Sequence, residues 1–129
     1  MSTHSVEMRW TPRLAKQFCP VSSYFLANYA RLKPHPNARG LTSSEAMFII
    51  QLMDFKWDER MPYPTMNTLA ERLGVGRRSA RKTASNLVEQ GYLNRVEMPY
   101  GPNRYDLEPL FKALESLMDE DIKKHDEED

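Results

Sequence analysis

The stretch from Thr65 to Leu93, TMNTLAERLGVGRRSARKTASNLVEQGYL, constrains the chain most. Apolar residues at Met66, Leu69, Ala70 and Leu73 share one face of a helix, and Pro64-Thr65 before them supplies a start with a hydroxyl N-cap. Gly74 can adopt the left-handed conformation that ends a helix. After Gly74-Val75-Gly76 a second helix opens with Arg77, Arg78, Arg81 and Lys82 and stops at Gln90-Gly91. Its inward face is Ala80, Thr83 or Ala84, Leu87 and Val88, with Val75 expected to bury inside the turn. Ala80 and Ala84 are small and let the two helices approach closely. Arg77, Arg78, Arg81, Lys82 and Ser85 are left pointing outward. Two helices joined by a tight turn, with cations at the exposed start of the second, form the geometry of a helix that enters the DNA major groove.

Overall charge at first argues against that partner, because 18 basic and 18 acidic residues cancel. The cancellation is uneven. From Asp119 to Asp129 seven acids face two lysines, a net of −5, so the rest of the chain carries +5. Between Thr65 and Leu107 seven Arg or Lys face four acids, a local +3. An acidic tail on a basic body is compatible with nucleic acid. Exposed cations at a helix N-terminus oppose the helix dipole, at about 0.3–1 kcal/mol each. Four of them on one helix point to an anionic partner rather than to stability.

The flanks read as further elements of one domain, which 129 residues can supply with a single core. Met1–Gln17, interrupted by Pro12, reads as a mobile N-terminal arm whose Arg9, Arg13 and Lys16 are within possible reach of DNA. Val21, Phe25, Tyr29 and Leu32 form a helical stripe that Ser22 or Ser23 can cap. Lys33–Gly40, with two prolines, is a loop. Thr42-Ser43-Ser44-Glu45 is a capping box at the start of a helix reaching Phe55, apolar nearly all round. Phe18, Phe25, Phe48, Phe55, Trp57 and Phe111 are assigned to the core. Tyr92–Met98, the turn Pro99-Tyr100-Gly101-Pro102 and Asn103–Leu107 read as strand, turn and strand. Pro109 suits the first turn of a last helix, Glu108–Met118, with a stripe of Leu110, Phe111, Leu114, Leu117 and Met118. The remaining 119–129 is expected to be an acidic disordered tail.

These residues resemble the winged helix-turn-helix superfamily. The similarity lies in Leu69-Ala70-Glu71-Arg72-Leu73-Gly74-Val75, in Arg77-Arg78-Ser79-Ala80-Arg81-Lys82 and in Leu87-Val88-Glu89-Gln90-Gly91-Tyr92-Leu93, and extends over Leu41–Leu107. Gly76 stands where family members usually carry Ser or Thr, and Ala80 where a β-branched residue is usual. The wider layout is similar to the helix-turn-helix domains of plasmid and phage replication initiators and of DnaD-like primosome proteins. The implied fold class is α+β: mainly helical, with a small β-wing and extra N- and C-terminal helices, over residues 18–118. The implied function is binding of double-stranded DNA by a transcriptional regulator or replication-initiation factor, recognition helix in the major groove and wing on the backbone. The alternative is a protein-interaction module of a replication or regulatory complex that does not itself bind DNA.

On that reading Arg78 and Arg81 are the base-reading candidates, because a guanidinium can donate two hydrogen bonds to guanine. Thr65, Ser79, Lys82, Arg95 and Arg104 are cast as phosphate contacts. Arg77 and Ser85 share the outward face, and Tyr100 and Arg104 lie near the wing tip. The two large apolar stripes suggest a homodimer. His4, His35 and His125 have no ligand spacing to Cys19, so no metal and no cofactor are expected. No phosphate loop, nucleophile motif or acid/base set occurs, so the chain is not expected to be an enzyme, and no small-molecule ligand is predicted. One cysteine, no long apolar run and no signal-like N-terminus suggest a cytoplasmic protein without a membrane partner.

Overall fold

The computed structural model describes residues 6–128. Six α-helices and two strands follow in the order α1 (Val6–Arg9), α2 (Ser23–Asn28), α3 (Ser43–Asp54), α4 (Met66–Leu73), α5 (Arg77–Glu89), β1 (Asn94–Val96), β2 (Arg104–Asp106) and α6 (Glu108–Glu128). Single 3-10 turns occupy Leu14–Lys16 and Tyr29–Arg31. The class is α+β, as expected. No helix among the described residues is long and apolar enough to cross a membrane.

Local chemistry explains the helix ends. The α3 capping box is complete: Thr42 Oγ1 accepts from the Glu45 amide at 3.2 Å, and Glu45 Oε1 accepts from the Thr42 amide at 2.9 Å. Ser22 Oγ caps α2 by accepting from the Phe25 amide at 3.4 Å, and Thr65 Oγ1 caps α4 by accepting from the Thr68 amide at 3.1 Å. Helices α4 and α5 both end on a glycine at positive φ, 68° at Gly74 and 86° at Gly91. In each case the next residue's amide returns to a carbonyl five residues back, Val75 to Ala70 at 3.0 Å and Tyr92 to Leu87 at 2.9 Å. That closure satisfies carbonyls a helix end would otherwise orphan.

The core gathers Phe25 and Leu32 from the N-terminal part, Leu41, Phe48, Ile49 and Leu52 around α3, Leu69 from α4, Ala84 and Leu87 from α5, and Leu110 from α6. Leu93, Tyr105 and Leu107 close it from the hairpin side. Helices α3, α4 and α5 pack against one another, with Ala80 and Ala84 both fully buried at the crossing. The strands pair antiparallel, Asn94 with Asp106, Arg95 with Tyr105 and Val96 with Arg104. The Tyr105 amide donates to the Pro62 carbonyl at 3.0 Å, so the hairpin is also tied to the loop before α4. Tyr92, fully buried, places its hydroxyl 2.6 Å from the Arg39 carbonyl and 3.1 Å from that of Leu32. Burial pushes the Tyr92 phenol up to about 12.

Four expectations are corrected. Trp57 is 85% exposed rather than a core plug, because α3 ends at Asp54 and the chain then turns away along the surface. Phe18 is 56% exposed, lying ahead of α2 and off its buried face, whereas Phe25 and Phe48 are core and Phe55 and Phe111 half-buried. Val75 is exposed, since the turn after Gly74 carries it outward. The segment from residue 119, expected to be disordered, instead continues α6 to Glu128. Asp121 explains the continuation: it takes a two-pronged ion pair from Arg31, at 2.7 and 3.0 Å, and a hydrogen bond from the Tyr24 hydroxyl at 2.6 Å. Residues 1–5 of the expected arm lie outside the described residues; its remainder forms α1 and the Leu14–Lys16 turn.

Candidate nucleic-acid interface

Helix α5 separates two faces. Ala80, Ala84 and Leu87 are buried, while Arg77, Arg78, Ser79, Arg81, Lys82 and Ser85 are exposed. At about 100° per residue, Arg78, Arg81, Lys82 and Ser85 fall on one arc opposite the buried residues. Gly76 caps α5 with no side-chain hydrogen bond, so the first amides of the helix are left for solvent or a ligand. The strongest electrostatic feature is what these cations lack. Arg31, Arg39, Arg60 and Arg72 each pair with a carboxylate, those of Asp121, Glu45, Asp58 and Asp54. Arg78, Arg81 and Lys82 have no hydrogen-bond or ion-pair partner among the described residues. Arg77 donates to Asn67 Oδ1 of α4 at 3.2 Å, a neutral acceptor that ties the two helices without cancelling charge.

The other candidates divide by surroundings. Thr65 is exposed, but its hydroxyl is engaged in the α4 cap and donates to Thr68 Oγ1 at 2.9 Å. Arg95 is half-buried on β1. Its guanidinium donates to Ser85 Oγ at 3.2 Å, and its Nε is buried without a partner among the described residues. Arg95 and Ser85 thus hold the hairpin against α5. Arg104 lies half-buried with its guanidinium 5.1 Å from the centre of the Tyr63 ring. Tyr100 is 92% exposed at the hairpin turn.

Residues with a positioning role escaped the sequence reading. Arg39 clamps Glu45 through both nitrogens, at 2.6 and 2.9 Å, and Glu45 is 5% exposed. The Arg39 guanidinium holds the Glu45 carboxyl below the usual glutamate range, with the Thr42 amide assisting. Arg72 pairs with Asp54 and lies 4.3 Å from the centre of the Phe55 ring, so it braces α4 against α3. The capping-box pattern signalled Glu45, but nothing local signalled Arg39. Asn67 carried no signal, since an exposed polar residue on α4 has no pattern of its own.

A three-helix core with a helix–turn–helix at α4 and α5, followed by a two-stranded hairpin, decides the fold. The chain has a winged helix-turn-helix fold. Residues 39–93 match the family described as a helix-turn-helix domain, which spans α3 through the end of α5. The crystal structure of the N-terminal domain of DnaD from Geobacillus kaustophilus HTA426 is similar, with a TM-score of 0.67 over 93% of this chain and 96% of that one at 22% identity. The similarity therefore reaches beyond the helix-turn-helix to α2, the wing and α6. No curated protein matches the chain.

Proposed function

We propose that the chain binds double-stranded DNA, with α5 in the major groove and the wing against the phosphate backbone. The observation that carries this is the un-neutralised set Arg78, Arg81 and Lys82 at the start of a helix whose dipole disfavours them. Arg78 and Arg81 read base edges, and Lys82 and Ser79 meet phosphate. Arg104 and Tyr100 serve the wing contact, while Arg95, Ser85 and Thr65 set the angle between wing, α5 and α4. The match to a helix-turn-helix domain and the likeness to the DnaD N-terminal domain support a role in replication initiation or transcription. A homodimer fits this role, because one recognition helix covers few base pairs. We assign no enzymatic step to the chain.

Duplex binding measured by fluorescence anisotropy against salt tests the reading. Contacts from about four cations give a slope of log K against log salt of about −3 to −4. A flat slope, or no binding at low salt, would instead favour a module that engages only proteins.

A further inference from the structure

A second feature lies beside this interface. The loop between α3 and α4 leaves two large rings in water, Trp57 at 85% and Tyr63 at 55% exposure. Both line one open cleft of about 410 Å³, with Arg60, Thr65, Thr68 and Pro102 among its other walls. Aromatic rings of this size normally contribute to stability by burial, so two exposed rings at one cleft imply a partner that covers them. Arg104 lies over the Tyr63 ring, and the Asp58 carboxylate at the rim is already taken by Arg60 at 2.8 Å. The lining is thus aromatic and hydroxyl-bearing with its own charges paired, and Arg104 is the cation beside it.

Position selects the occupant. Thr65 and Thr68 form the first turn of α4, and Pro102 belongs to the wing turn, so the cleft is continuous with the surface assigned to duplex DNA. The Tyr105–Pro62 hydrogen bond fixes the loop to the wing, so the two move together. A ring cannot stack on a base inside a duplex, because both faces of that base are already covered by its neighbours. It can stack on a base that has left the duplex, and aromatic platforms with nearby cations hold single strands without strong sequence preference. We propose that the Trp57–Tyr63 cleft stacks unpaired bases of single-stranded DNA at the edge of the bound duplex, with Arg104, over the Tyr63 ring, as the nearby cation. The inference rests on the duplex-binding reading for its placement, and deepens it to recognition of a duplex–single-strand junction.

The test uses the full chain carrying Trp10→Phe, which leaves Trp57 as the one tryptophan. Three probes are titrated: a blunt duplex, the same duplex with a single-stranded thymine tail, and the thymine strand alone. The expected result is quenching of Trp57 by the tailed duplex and an affinity roughly 5- to 150-fold above that for the blunt duplex, as one stacked base gives. Adding Trp57→Ala removes the gain and leaves blunt-duplex affinity unchanged; the residue is so exposed that the fold tolerates its loss. Equal affinity for tailed and blunt duplex, or a gain that survives Trp57→Ala, overturns the platform while leaving duplex binding intact. Quenching by the thymine strand with no binding of the blunt duplex supports the platform and sinks the recognition-helix reading. No binding of any probe overturns both and leaves the cleft to a protein partner.

Discussion

Arg78→Ala separates a residue that serves a partner from one that serves the fold. Arg78 is exposed in the first turn of α5 and has no hydrogen-bond or ion-pair partner among the described residues, so its removal breaks no such bond among them. Two small terms then favour the variant. Loss of a cation at the N-terminus relieves an unfavourable dipole interaction of about 0.3–1 kcal/mol. Alanine is also the better helix former, by a few tenths of a kcal/mol. The variant is therefore expected to be as stable as the wild type or more so, by up to about 1 kcal/mol, or a rise in Tm of up to about 5 °C for a domain of this size. Duplex affinity moves the other way. Loss of a bidentate base contact costs about 1–3 kcal/mol, a factor of roughly 5 to 150, and relaxes base preference at one position. Urea or thermal denaturation followed by circular dichroism gives the first quantity, and anisotropy at fixed salt gives the second. A variant destabilised by more than about 0.5 kcal/mol would show that Arg78 supports the fold. Unchanged affinity would show that the wrong face of α5 had been assigned to DNA.

Further tests concern the buried carboxylate and the oligomeric state. Glu45→Gln keeps an acceptor for the Thr42 amide but loses the charge that Arg39 clamps; because the Arg39 side chain is 50% exposed, the expected cost at pH 7 is only about 1 kcal/mol. The folded-state Glu45 carboxyl titrates below its ordinary 4.5, so its contribution is complete above that value and fades as pH falls toward the folded one. The gap between wild type and variant in urea midpoints should narrow below pH 4.5, and a gap constant with pH would refute the pairing as its source. For the dimer, Leu26, Met118 and Ile122 on α2 and α6 are exposed apolar residues available for a subunit contact. Sedimentation at micromolar concentration showing only a 15.1 kDa species would remove it.

What could be read from the chain directly was whatever residues within a turn of each other decide. Thr42 and Glu45 are three apart and make their box wherever the helix lies. Thr65 caps α4 for the same reason, and Gly74 and Gly91 end their helices because a left-handed residue without a side chain is unstrained there. Periodicity then separated the buried Ala80, Ala84 and Leu87 from the cationic face of α5. Burial and pairing across long separations stayed hidden, because each depends on which element arrives from elsewhere. Trp57 resembled a core residue by chemistry alone, yet among the described residues no element covers it after α3 ends. The acidic end of the chain lacked the apolar residues to fold alone, and Arg31 and Tyr24, 90 and 97 residues away, hold Asp121 and extend α6. The bond from Arg95 to Ser85 likewise exists only because the hairpin folds back onto α5. Local backbone chemistry thus placed the helices and the charged face, and only their packing decided which side chains remained free for a partner.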